Sequence, residues 1–167
     1  MRTIARSVLA LSLLPYAAVL GACGDSLEAT SACRNLVYKE SGLSRAEYLP
    51  CAGEIMAALG ELEAHTQAAF KGDSAARADG QAALRRVSSL MNAAGGRNLL
   101  ERWDDKALTD LNIDINNAVS HYQAFYWVRI IEEPDPRAAK TRSAAEAEML
   151  GASRNYEEAR RTYRHLR

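Results

Sequence analysis

Histidine, proline and cysteine are all scarce in this sequence. Its 167 residues include three His, four Pro and three Cys. None of the histidines lies in an HxxxH, ExxH or CxxCH pattern, so zinc sites, di-iron bundles and covalent haem have no recognisable ligand set. GxSxG, Walker and GxGxxG patterns are also missing. We therefore expect no enzyme and no metal or other cofactor.

The chain also lacks an excess of either charge and, after residue 23, any long apolar run. Lys and Arg total 21, and so do Asp and Glu, which gives no reason to propose nucleic acid as a partner. No stretch after residue 23 is apolar enough over about 20 residues to cross a bilayer. Alanine is abundant and β-branched residues are sparse, so the composition favours helix over sheet.

The first 23 residues have the form of an export signal. Arg2 and Arg6 precede a short apolar core over residues 7–20, which Pro15 interrupts. The core ends in Leu20-Gly21-Ala22-Cys23, which resembles the lipobox of bacterial lipoprotein precursors. The resemblance implies that residues 1–22 are removed, that Cys23 carries a diacylglyceryl group, and that residues 23–27 form a short tether to a domain over 28–167. The alternatives are a leader cut near Ala22 that leaves a free Cys23, or an uncleaved signal anchor.

The cysteine count agrees with this interpretation. An odd number of cysteines in an exported protein needs explaining, and lipidation of Cys23 leaves Cys33 and Cys51 as a pair. An extracytoplasmic compartment permits a disulfide. Each cysteine lies nine residues from Gly42, so a helical hairpin would bring them level. Closing this loop stabilises the fold by roughly 3 kcal/mol in the chain-entropy model. Two unpaired buried thiols are the alternative.

Apolar spacing predicts an all-α fold, an antiparallel four-helix bundle with a short fifth helical element around residues 98–106. A first helix is expected over residues 28–41. A capping box at Ser44 and Glu47 opens the next, with a turn or kink at Pro50. Later stops are expected at Gly72 and Gly95. The expected core positions of the helices are Ile55, Leu59, Leu62, Thr66 and Ala69; Leu84, Val87, Met91 and Ala94; Leu111, Ile115, Ala118, Tyr122 and Phe125; and Ala145, Met149, Ala152, Tyr156, Ala159, Tyr163 and Leu166.

The helix that we expect to open with Thr109 as its cap carries a second apolar stripe: Ile113, Ala124, Trp127 and Ile131. This stripe lies nearly opposite the core face, so it is either buried by another element or presented to a partner. Trp and Arg are favoured at binding hot spots, which makes Ile113, Trp127, Arg129 and Ile131 a candidate docking patch. On the same helix Asp110 and Asp114 share a face and form either a weak cation site or a solvated acidic face.

Two functions are consistent with these features. The first is an accessory or scaffold subunit, held by its lipid anchor in the cell envelope beside a membrane complex. The second is an envelope ligand-binding module that holds a small hydrophobic molecule among Tyr122, Tyr126, Tyr156 and Tyr163. In a two-membraned bacterium, aspartate after the lipidated cysteine usually means retention in the inner membrane, so Gly24 favours the outer membrane.

Overall fold

The part of the chain that can be described in a computed structural model comprises residues 31–36, 43–95, 105–127 and 138–167. It contains four α-helices and no strand, which confirms the all-α prediction. The helices are α1 (Arg45–Phe70), α2 (Ser74–Ala93), α3 (Lys106–Trp127) and α4 (Ala138–Leu166). The expected fifth element lies almost entirely outside the described residues.

The helices run alternately up and down, as predicted. Antiparallel α1 and α4 meet where Gly53 faces Tyr163 and Gly60 faces Tyr156. Arg45 and Asp105 form an ion pair at the starts of α1 and α3, and Glu63 and Tyr122 are in contact further along, so these two helices are parallel across the bundle. Packing is most extensive within the pairs α1–α2 and α3–α4.

The core faces of α1 and α3 agree with the predicted ones, and that of α4 agrees in part. Every expected core position of α1 and α3 is buried. On α4 Ala145, Ala152 and Ala159 are completely buried, while Met149, Tyr156, Tyr163 and Leu166 are half-buried. The core positions of α2 are only partly as predicted, because Leu84 and Met91 are half-buried. The buried face of this helix consists mainly of small residues: Ala76, Gly80, Ala83, Val87 and Leu90. Small residues let neighbouring aromatic side chains approach the helix backbone closely, so the larger Leu84 and Met91 are left at its flanks.

Several helix ends form where the sequence predicts them. The Glu47 carboxylate accepts hydrogen bonds from the backbone N–H of Ser44 (2.9 Å) and from its hydroxyl (2.7 Å) at the start of α1. Asp73 caps α2 by accepting the N–H of Ala76 at 3.0 Å. Gly72 and Gly95 follow α1 and α2 with φ values of 101° and 96°, a region that side chains other than glycine rarely adopt.

The expected turn at Pro50 and the expected cap at Thr109 are both wrong. The helix α1 is continuous through Pro50. Pro50 is solvent-exposed near the start of α1, so only one early backbone hydrogen bond is lost while the buried face holds the helix together. Thr109 is not a cap. Asp105 takes that role by accepting the N–H of Ala107 at 3.0 Å, and it starts α3 one turn earlier.

The predicted first helix is also wrong where it can be described. Residues 32–35 form a turn, with the N–H of Arg34 donating to the carbonyl of Ser31 (3.2 Å) and that of Asn35 to Ala32 (3.3 Å). The rest of that predicted helix lies outside the described residues. A covalent bond and a carboxylate, rather than a helical hairpin, hold this segment against α1.

Candidate functional site

The segment over residues 31–36 is attached to α1 at two neighbouring points. Cys33 and Cys51 form a disulfide with a Cα–Cα separation of 4.5 Å, which confirms the predicted pair. One turn further along α1, the Glu54 carboxylate accepts the Ser31 hydroxyl and the Ala32 N–H, both at 2.7 Å. The two contacts fix the place where the chain that precedes Ser31 joins the bundle.

The second apolar stripe of α3 is exposed at both of its described ends. Trp127 is 84% exposed and Ile113 is 40% exposed, while Ala124 between them is half-buried. Ile113 and Trp127 are about 40° apart on a helical wheel, so they share one side of α3. We call these three residues the Trp127 stripe. Arg129 and Ile131, the other members of the predicted patch, lie outside the described residues.

The disulfide and Trp127 lie at opposite ends of the bundle. Cys51 is in the second turn of α1, whose first residue, Arg45, is paired with Asp105 at the start of α3. Trp127 is the last residue of α3, which runs parallel to α1. The N-terminal attachment and the most exposed aromatic side chain are therefore separated by most of the length of the domain.

A shallow acidic groove of about 320 Å³ lies between α3 and α4 beside the Trp127 stripe. Its lining residues are Asp110, Ile113, Asp114, Glu158, Arg161 and Thr162. Asp110 pairs with Lys106 at 2.6 Å. Partial burial raises the pKa of Asp114, and the neighbouring carboxylates of Glu158 and Asp110 raise it further. Among the described residues no group of three or more His, Cys, Asp and Glu side chains is placed to hold a metal ion. Nothing in the spacing of the sequence indicated that Glu158 would join the predicted Asp110–Asp114 pair.

A polar contact joins three helices at the centre of the bundle. The Tyr122 hydroxyl of α3 and the Ser153 hydroxyl of α4 both donate to the Glu63 carboxylate of α1, the latter at 2.7 Å. Burial raises the pKa of Tyr122, and its hydrogen bond to the Glu63 carboxylate adds to the rise. The phenol therefore stays protonated and serves as a donor. A second contact of this kind joins Tyr126 to Thr66 at 3.1 Å.

The four tyrosines that the sequence suggested as pocket-lining residues instead pack between helices. All of them except Tyr122 lie over a glycine of a neighbouring helix. A Cβ atom added to Gly80 would stand 1.7 Å from the Tyr126 hydroxyl oxygen, and one added to Gly53 or Gly60 would stand 2.6 or 3.0 Å from the hydroxyl oxygens of Tyr163 and Tyr156. The matching seven-residue spacings of the glycines on α1 and of their tyrosines on α4 are the signal from which this arrangement can be read.

The three histidine side chains do not lie together. The Nδ1 atom of His121 is 2.7 Å from the Glu148 carboxylate, and its ring lies against Gly151. His65 is half-buried and His165 is exposed. The three side chains therefore do not combine into one acid–base or ligand group.

Comparison with known proteins places this chain in no family. No protein-family model, no curated protein and no solved structure matches it. In the described ranges no helix is both long and apolar enough to span a bilayer. Any functional conclusion therefore depends on the sequence pattern and on the described surface of the domain.

Proposed function

We propose that this chain is an extracytoplasmic lipoprotein that acts as an accessory or scaffold subunit beside a membrane complex. Lipidated Cys23 would hold it at the membrane, and the Trp127 stripe would contact the partner. The observation that carries the proposal is the 84% exposure of Trp127 on a helix whose other side is fully packed. A large aromatic side chain in water is the kind of group that contributes most to binding when a partner covers it.

The lipid anchor has its support in the lipobox and in the position of the disulfide. The sequence pattern places Cys23 eight residues before Ser31, the first residue held against α1. An extended chain of that length reaches roughly 28 Å. Even at this full extension the domain would stay close to the membrane surface.

A ligand-binding module receives less support. The tyrosines proposed to line its cavity pack against glycines of neighbouring helices or hydrogen-bond to Glu63 and Thr66. Opening a pocket among them would break these contacts.

The test is purification of the full chain from native membranes in mild detergent, followed by quantitative mass spectrometry of the proteins that accompany it. We expect a stoichiometric integral membrane protein in the wild-type sample and its loss in Trp127→Asp. Leu150→Asp is the matched control, because Leu150 is also an exposed apolar residue (55%) but lies on the outer side of α4. Equal loss in both variants, or a partner-free wild type, would overturn the accessory role.

Two further measurements separate a failed anchor from a failed docking surface. The intact mass of the N-terminal peptide reports whether Cys23 is its first residue and carries the diacylglyceryl group. Thermal unfolding of Trp127→Asp reports whether the variant is folded. We expect a change within about 1 kcal/mol, because the side chain is exposed and a new carboxylate at the end of a helix is only mildly unfavourable.

A further inference from the structure

The last two turns of α4, with Arg167 after them, form the described stretch of sequence that is richest in basic side chains. Residues 159–167 contain four arginines, namely Arg160, Arg161, Arg164 and Arg167, and no carboxylate side chain. All four arginines are exposed, as is His165. Positive charge at the C-terminal end of a helix is favourable because it opposes the helix dipole. The effect falls off within the last turn of a helix, so it does not account for Arg160 and Arg161.

Little of this charge is neutralised within the domain. Arg160 forms an exposed ion pair with Glu157 at 3.1 Å, and Arg161 borders the acidic groove. Arg164 and Arg167 form no ion pair with a carboxylate in the described ranges, and the Arg167 guanidinium lies 5.8 Å from the centre of the Tyr163 ring. The same end of the bundle also carries carboxylates, of which Asp105 pairs with Arg45 and Asp110 with Lys106. The excess of positive charge is therefore local to the last turns of α4.

The basic turns lie at the same end of the domain as the N-terminal attachment. Tyr163 packs against Gly53 of α1, two residues beyond disulfide-bonded Cys51 and one before Glu54, which holds Ser31 and Ala32. The chain from Cys23 therefore joins the bundle at the level along α1 where the four arginines begin. Arg34, also exposed, is part of this attached segment.

We propose that the arginine-rich last turns of α4 face the membrane and bind the headgroups of anionic phospholipids. The inference rests on the proposed lipid anchor, and it adds an orientation to it. A lipid chain holds a protein at a membrane without fixing which side faces the bilayer. Basic residues are attracted to an anionic surface, and the attraction falls off within about a Debye length. Only the end of the domain that touches the headgroups is therefore stabilised by this attraction. The occupant of the surface is an anionic bilayer rather than a second protein because the tether restricts this end to the membrane.

The test is photo-crosslinking of the full lipidated chain in vesicles of phosphatidylcholine and phosphatidylglycerol. A photoreactive amino acid is placed at His165 in one sample and at Ala147 in the other. Both positions are exposed, and their spacing puts them on the same side of α4, about 27 Å apart along its axis. Lipid adducts are then identified by mass. We expect phosphatidylglycerol adducts at His165 and few at Ala147.

Charge variants complete the test. R160Q/R161Q/R164Q/R167Q should lower capture at His165 by about tenfold or more, since each basic residue near the surface contributes to the attraction. A control with four exposed basic residues elsewhere replaced, at Lys71, Arg85, Lys140 and Arg154, should capture as the wild type does. Circular dichroism shows whether each variant is folded.

Equal labelling at the two positions, or labelling at His165 that the four substitutions leave unchanged, would overturn the proposed orientation. The mass of the Cys23 peptide, read from the same samples, reports the anchor separately. If Cys23 carries no lipid, the lipoprotein proposal fails, and labelling at His165 still decides the surface, because its absence would show that the basic end has no affinity for the vesicles.

Discussion

The phenol of Tyr122 on α3 donates a hydrogen bond to the carboxylate of Glu63 on α1. Ser153 on α4 donates to the same carboxylate at 2.7 Å, so one acidic group links three of the four helices. The Glu63 side chain is half-buried, so these donors replace part of its contact with water. The contact therefore specifies how α1, α3 and α4 are aligned as well as adding stability.

Tyr122→Phe should lower the free energy of unfolding by about 1.5–3 kcal/mol, the range for a hydrogen bond to a charged group. Urea denaturation monitored by circular dichroism measures this. Tyr156→Phe is the control, since that hydroxyl forms no hydrogen bond within the described ranges and its removal should change stability by less than about 0.5 kcal/mol. Similar losses in the two variants would mean that the Glu63 contact contributes little.

A substitution at Gly80 tests the tyrosine–glycine contacts directly. A Cβ at this position would meet the Tyr126 hydroxyl oxygen at 1.7 Å and its ring carbon at 2.7 Å, so the ring has to move and leave Thr66. We expect Gly80→Ala to destabilise the fold by about 1–3 kcal/mol. In a Tyr126→Ala background most of this loss should disappear, because the only close neighbour left for the new methyl group is the Cβ atom of His65 at 3.3 Å. Thermal unfolding of the four proteins gives both values, and an equally large loss without Tyr126 would contradict this account.

The sequence predicts the four long helices well because their buried faces repeat at helical spacing. Ile55, Leu59 and Leu62 on α1, and Leu111 and Ile115 on α3, are all buried as expected. Local capping signals such as Ser44 with Glu47 also appear where they were predicted.

The errors have a common physical cause, which is that contacts between distant parts of the chain outweigh local preferences. Residues 31–36 have a helical pattern, but the bond from Cys33 to Cys51 and the Glu54 carboxylate hold them in a turn. The tyrosines of α4 match the spacing of Gly53 and Gly60, but that match can be interpreted only once α1 and α4 are known to be neighbours. The exposure of Trp127 could not be decided from the sequence, since it depends on which elements cover the outer side of α3.

The disulfide can be tested by reduction. It closes a loop with a sequence separation of 18 residues, so its loss should lower the free energy of unfolding by roughly 3 kcal/mol. Urea denaturation with and without a reducing agent measures the difference. The double variant Cys33→Ala/Cys51→Ala should show the lower stability in both conditions and no response to the reductant. An equal response to reductant in the double variant would place the effect elsewhere.

The raised pKa of Asp114 predicts that the stability of the fold depends on pH. Its pKa is raised in the folded protein, so folding favours the protonated form, and the stability present at low pH is lost as the pH rises through the folded pKa. Asp114→Asn removes this loss. At pH 7 we expect the variant to be more stable than the wild type by roughly 0.2–0.5 kcal/mol, the scale of a like-charge pair on a helix.

The advantage of Asp114→Asn should disappear below the ordinary pKa of 3.8, where the wild-type carboxyl is protonated in both states. Unfolding measured from pH 3 to pH 8 tests this. Asp110→Asn is the comparison: Asp110 is paired with Lys106, so its replacement loses an ion pair and should give little or no gain at pH 7. A gain for Asp114→Asn that is the same at every pH would show that it does not arise from the charge.

The length of α3 determines how far from the bilayer a partner can be met. The helix has 22 residues and begins at the end of the domain that carries the disulfide. At 1.5 Å per residue it spans about 33 Å. If the basic end rests on the headgroups, Trp127 stands at about that height above them. A protein confined to the hydrocarbon layer would be out of reach, so the partner must have an extramembrane domain that rises to the level of the indole.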